Sequence, residues 1–149
     1  MTYAQLNRKL RGLETKIKSL VVRSIKKHQR EIVKRNQAQL KAGEDANGDQ
    51  LGHYQSKSWI RKRKKKGRQV KYVDLRFTNE WQKSMYVKLD SEGLSFNVDA
   101  KKKKGWSGGD DVLVHHWGED IYGLNDDNFD WLLDKITDDI YTGLLKYFT

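Results

Sequence analysis

Apolar residues recur at helical spacing almost from the first residue. Leu6, Leu10, Leu13, Ile17 and Leu20 form a stripe, and Val21, Ile25, His28 and Ile32 carry it on, rotated by one position. This predicts one amphipathic helix over residues 4–41, with its basic side chains on the opposite face. Gly12 is its weak point, since a helix-interior Gly costs roughly 1 kcal/mol against Ala. Ala42-Gly43 predicts the stop. A second stripe, Phe129, Leu132, Leu133, Ile136, Ile140 and Leu144, predicts a helix over 124–148. Asn125 is its expected N-cap, and Asp126, Asp127 and Asp130 lie at the positive end of its dipole. Leu124 and Phe129 are spaced as a hydrophobic staple.

Between the two helices the pattern changes. Residues 43–58 are rich in Gly, Asp, Asn and Ser and read as a loop. Trp59 opens a short helix running into Arg61, Lys62, Arg63, Lys64, Lys65 and Lys66. Val70–Phe77 alternates as a short strand or extended segment does. Thr78, Asn79, Glu80 and Trp81 read as a helix start, with Thr78 capping and Trp81 packing inward. Met85, Val87 and Leu89 then alternate with polar neighbours, as do Leu94, Phe96 and Val98 after Ser91-Glu92-Gly93. Two alternating runs around a Gly-containing turn predict a hairpin. Lys101–Gly109 reads as a basic, Gly-rich loop, and Val112–Trp117 as a third strand.

The expected fold class is α+β: a long N-terminal helix and a C-terminal helix packed on a small antiparallel sheet with a central hairpin. A single domain spans 1–149, divided into a basic helix (1–41), a loop and basic run (42–69), the sheet (70–120) and an acidic helix (124–148).

Charge sharpens this picture. The chain has 149 residues and a net charge of +10, but the charge is unevenly spread. Residues 1–104 hold 28 Lys/Arg against 10 Asp/Glu, and residues 105–149 hold 2 against 10. Either the basic part meets an external polyanion, or the basic surface of one copy meets the acidic surface of another. The basic runs Arg61–Lys66 and Lys101–Lys104 lie near Trp59, Tyr72 and Trp106, a mixture that can hold phosphate and stack bases. With no Cys there is neither a disulfide, a thiolate nucleophile nor a Cys-ligated zinc. No apolar run is long enough for a membrane helix or a secretory signal, so a soluble intracellular chain is expected.

Candidate chemistry is sparse. Asp45, Asn47 and Asp49 match the opening of a calcium loop, but Gln50 replaces its Gly and Ser56 its final Glu, so a solvated turn is the better reading. His115 and His116 are adjacent and would point to opposite faces of a strand. Nucleophile-elbow, phosphate-loop and zinc-helix motifs are all missing. No catalytic residue, cofactor or metal is therefore expected.

The order of several short motifs resembles the phage virion-morphogenesis, or tail-completion, family. That family has a long N-terminal helix, then a Gly/Asp loop, matched here by 43–52 with Tyr54 following. A Lys-rich stretch follows, here Arg61–Gly67. A Thr-Gly-x-Leu-x-x-Ser-like motif precedes a hairpin, here Thr78, Asn79, Trp81 and Ser84, with Asn79 where the family favours Gly. A His-x-x-Gly-like strand end corresponds to His116 and Gly118, and the entry to the last helix to Gly123 and Leu124. The resemblance implies a non-enzymatic structural component of the neck or tail, located in the virion and assembled in the host cytoplasm. It implies a homo-oligomeric ring that joins head to tail and touches neighbouring neck, portal or tail proteins. Arg61, Lys62, Arg63, Lys64, Lys65, Lys66, Lys101, Lys102, Lys103 and Lys104 are then the expected electrostatic contacts to partners or DNA. The alternative is a small basic nucleic-acid-binding protein acting on viral DNA, with no membrane role in either case.

Overall fold

The computed structural model describes residues 1–76, 79–90, 96–100 and 116–149, with 96–100 described through their backbone. Helix α1 (Tyr3–Arg11) is opened by a capping box in which Thr2 and Gln5 bond each other's backbone. Gly12 separates it from α2 (Leu13–Ala42), so the single expected helix is two segments that meet at the predicted weak point. The α2 helix ends where expected, on Gly43 with φ 87°. A side chain there would also collide with the Tyr72 ring, 2.6 Å from the ideal Cβ position. Helix α3 (Lys57–Lys65) is capped by Ser56, and the single-turn α4 (Glu80–Lys83) follows Asn79. Strands β1 (Met85–Leu89) and β2 (Phe96–Ala100) pair antiparallel, Val87 opposite Val98. A 3-10 turn (Glu119–Ile121) leads to α5 (Asp126–Phe148), capped by Asn125 as expected.

The α+β expectation is overturned. The described residues are mostly helical, with strand confined to two five-residue segments. The hairpin pair is present, but two short strands do not make a layer on which helices can pack; independent sheet stability takes three or more. The expected third strand fails at its C-terminal end, where His116 and Trp117 are helical; residues 112–115 lie outside the described residues. Val70–Arg76 forms no ladder either. Its alternation stops at Leu75, which takes a left-handed φ of 49°. The expected turn Ser91–Gly93, the Lys101–Gly109 loop and Thr78 also lie outside the described residues.

The architecture is instead an antiparallel pairing of α2 with α5, with the β1–β2 pair also packed against α2. Ile25, Ile32 and Leu40 of α2 meet Leu132 of α5, Ile121, Tyr122, Trp81 and Met85 in one buried cluster. Gly143 permits close approach on α5, because a Cβ there would lie 2.4 Å from a Leu20 methyl. Trp131 of α5 lies under the Arg35 guanidinium (3.9 Å to the ring centroid) and edge-on to His28 at 6.0 Å.

Two amides of α2 hold the entry to α5. Asn36 is fully buried and donates to the carbonyls of Ile121 and Gly123. Gln39 donates to Gly123 O and accepts from the Asn125 backbone (3.1 Å) and the Asn128 amide (2.6 Å). Gly123, at φ 125°, turns the chain so that its carbonyl reaches both amides. This explains the Gly123-Leu124-Asn125 pattern as architecture.

Candidate anion groove and docking face

Arg63, expected among the outward cations, is buried instead. A run of six cations on a helix cannot all face water, because each residue turns the side chain by about 100°. Arg63 is the member that falls on the inward side with Trp59 and Ile60, one turn earlier, and it is 1% exposed. It donates from Nη2 to Asp74 Oδ1 (2.8 Å), from Nη1 to Arg76 O (2.6 Å) and from Nε to Gln69 O (3.0 Å). Its guanidinium lies 4.3 Å from the Tyr54 ring centroid. Asp74 Oδ1 also accepts from Tyr54 Oη (2.9 Å) and the Arg76 amide (3.0 Å). Burial pushes the Tyr54 phenol up to about 12. Two buried, mutually bonded charges thus hold the 69–76 segment on α3.

The other members of the run, Arg61, Lys62, Lys64 and Lys65 on α3 and Lys66 at its C-terminal cap, are exposed. Lys101, Lys102, Lys103 and Lys104 lie outside the described residues.

The buried pair also positions the chain beyond it. Leu75 and Asn79, at φ 49° and 66°, are the non-Gly residues with left-handed backbone among the described residues. Asn tolerates this region better than most side chains, Leu does not, and such geometry costs of order 1–3 kcal/mol. They bracket Arg76, whose Nε donates to Asn79 Oδ1 at 2.7 Å. Gln37 of α2 donates to Gln82 O (2.6 Å), tying α4 alongside. A groove of about 350 Å³ results, lined by Lys34, Gln37, Ala38, Lys41, Arg76, Asn79, Gln82 and Lys83. Four of the eight are cations and none is a carboxylate. None of the four makes an ion pair among the described residues. The sequence hid this set because its members come from two distant stretches, 34–41 and 76–83, and form no run. Lys34 could be placed on the polar face of its helix, but only the tertiary fold brings Arg76 and Lys83 to it.

The remaining motif residues are structural. Trp81 is buried and donates from Nε1 to Tyr122 Oη at 3.2 Å. Ser84 caps α4 through its hydroxyl, 2.7 Å from Trp81 O. His116 is exposed and its ring lies 5.5 Å from that of Trp117. Gly118 takes φ 75° before the 3-10 turn, and Leu124 packs against the core. Asp45 Oδ1 accepts from the Asn47 and Asp49 amides (both 2.9 Å), which accounts for the calcium-like spacing as a turn.

A second feature lies on α5. Phe129, Leu133, Tyr141 and Leu145 lie on one i, i+4 ridge, with Thr137 between the two pairs, and are 42%, 44%, 65% and 51% exposed. Asp130, Asp134 and Asp138 run beside it, also exposed. The α1 helix carries a second bare apolar set, Tyr3 (81% exposed) and Leu10 (49%), next to exposed Arg8 and Arg11. No helix among the described residues is long and apolar enough to cross a membrane. Family models, curated proteins and solved structures yield no match to this chain.

Proposed function

We propose that this chain is a non-enzymatic building block of a phage virion, acting at the neck or tail as a ring of identical copies. The order of motifs shared with tail-completion proteins suggests the class. The observation that carries the assembly is the exposed α5 ridge bordered by carboxylates. Large apolar side chains along one helix face, here interrupted only by Thr137, are poor surface and good interface. The surface that complements them is the α1 helix of a second copy, which offers Tyr3 and Leu10 for the ridge and Arg8 and Arg11 for Asp130, Asp134 and Asp138. The two surfaces differ, so the contact is heterologous, and it closes into a ring when its rotation allows.

Light scattering and electron micrographs of the purified protein test this. The expected result is a discrete ring that Leu133→Asp with Leu145→Asp reduces to monomer. A wild-type protein that stays monomeric across salt and protein concentrations overturns the reading.

A further inference from the structure

We propose that the groove between α2 and α4 is a binding site for the sugar–phosphate backbone of a nucleic acid. Lys34 and Lys41 of α2 converge there with Arg76 and Lys83 of a second stretch, with no carboxylate lining it. In a chain with 20 Asp and Glu, such exclusion leaves a local positive field that no partner among the described residues neutralises. Arg76 is not a free surface cation. Its main chain is bonded on both sides, by Asp74 at its amide and Arg63 at its carbonyl, and its Nε is held by Asn79. Its outer guanidinium nitrogens are thereby fixed in direction, the geometry that suits a phosphate oxygen pair.

The groove also continues outward. Lys26 and Arg30 are exposed on the same side of α2 as Lys34 and Lys41. From residue 26 to 41 the helix rises about 22 Å. A single phosphate fills the groove but leaves that track unmatched, whereas a polymer with a charge at each repeat engages both. The lining holds no aromatic side chain on which a base could stack. The binding is therefore read as backbone-directed and independent of base sequence.

Fluorescence anisotropy with a labelled duplex DNA separates this site from diffuse basic charge. Two variants remove equal charge from exposed positions: Lys34→Gln/Lys41→Gln/Lys83→Gln in the groove, and Lys62→Gln/Lys64→Gln/Lys65→Gln on α3. Circular dichroism checks that both remain folded. The groove variant is expected to bind at least about tenfold more weakly at 0.1 M salt, with the log–log salt slope lowered by about two to three. The α3 variant should lose much less, and millimolar pyrophosphate should compete only weakly. Equal losses in the two variants, wild-type affinity in the groove variant, or no wild-type binding at all overturns the proposal. So does full displacement by pyrophosphate, which gives the groove to a small phosphate. Light scattering on the same samples keeps this result apart from ring formation. A groove variant that keeps its DNA affinity but no longer assembles assigns the groove to an acidic protein surface instead.

Discussion

Two irregular segments are held against helices in this molecule, and by opposite chemistry. At 121–128 the neutral amides of Asn36 and Gln39 hold the chain. At 69–76 a buried ion pair, Arg63–Asp74, does so. Amides give up little hydration and tolerate being half-satisfied; Asn36 keeps its carbonyl oxygen without a partner. The ion pair must recover the hydration of two full charges, and does so only because each charge is hydrogen-bonded several times over. The neutral clamp fixes where a helix begins. The charged one also fixes the direction of a third residue, Arg76, at the surface.

The sharpest way to break this contrast is to remove one charge. Arg63→Ala should destabilise the protein by about 3–5 kcal/mol, since Asp74 would be left buried and unpaired. Replacing both, as Arg63→Met with Asp74→Leu, should recover much of that loss in denaturant unfolding, yet release Arg76. A single variant that unfolds like wild type would show that the pair is not closed in solution. Asn36→Ala comes next, at about 2 kcal/mol, because two carbonyls lose their buried donor. Equal costs for Asn36→Ala and Arg63→Ala would remove the distinction between the two clamps.

The smallest effect is expected on the α2–α5 seam. There Lys27 donates to Asp139, as do Ser24 (2.7 Å) and, at 3.1 Å, the His28 ring. The Lys27 ammonium, then the Ser24 hydroxyl, hold the Asp139 carboxyl down to about 2. The folded form thus takes up the proton less readily than the unfolded chain. The stabilisation is present above pH 4 and fades as pH falls toward 2. With partial exposure it amounts to roughly 1 kcal/mol. Asp139→Asn should flatten this part of the acid-unfolding curve; an unchanged curve would mean that the seam is open to water.

Where local rules govern, the sequence was a good guide. Gly43 and Asn125 end and cap helices where expected, and the split of the first helix falls on its weak point Gly12, because the deciding forces lie within one turn. The errors have a common cause in longer-range contacts. The 70–77 alternation resembled a strand, but Val73 and Asp74 are buried against α3 and the preceding loop, and Leu75 reverses the backbone. Reading the whole cationic run as contacts to partners or DNA hid Arg63, although Trp59 and Ile60 one turn earlier mark the inward side. The groove was invisible for the reason that makes it a site: its cations meet only after the chain has folded.

Trp131 gives the α2–α5 seam its own optical reporter. Its indole is covered by the Arg35 guanidinium on one face and met edge-on by His28, so its emission depends on both helices staying in register. Any partner that pries α5 from α2 during assembly will change that emission without a label being attached.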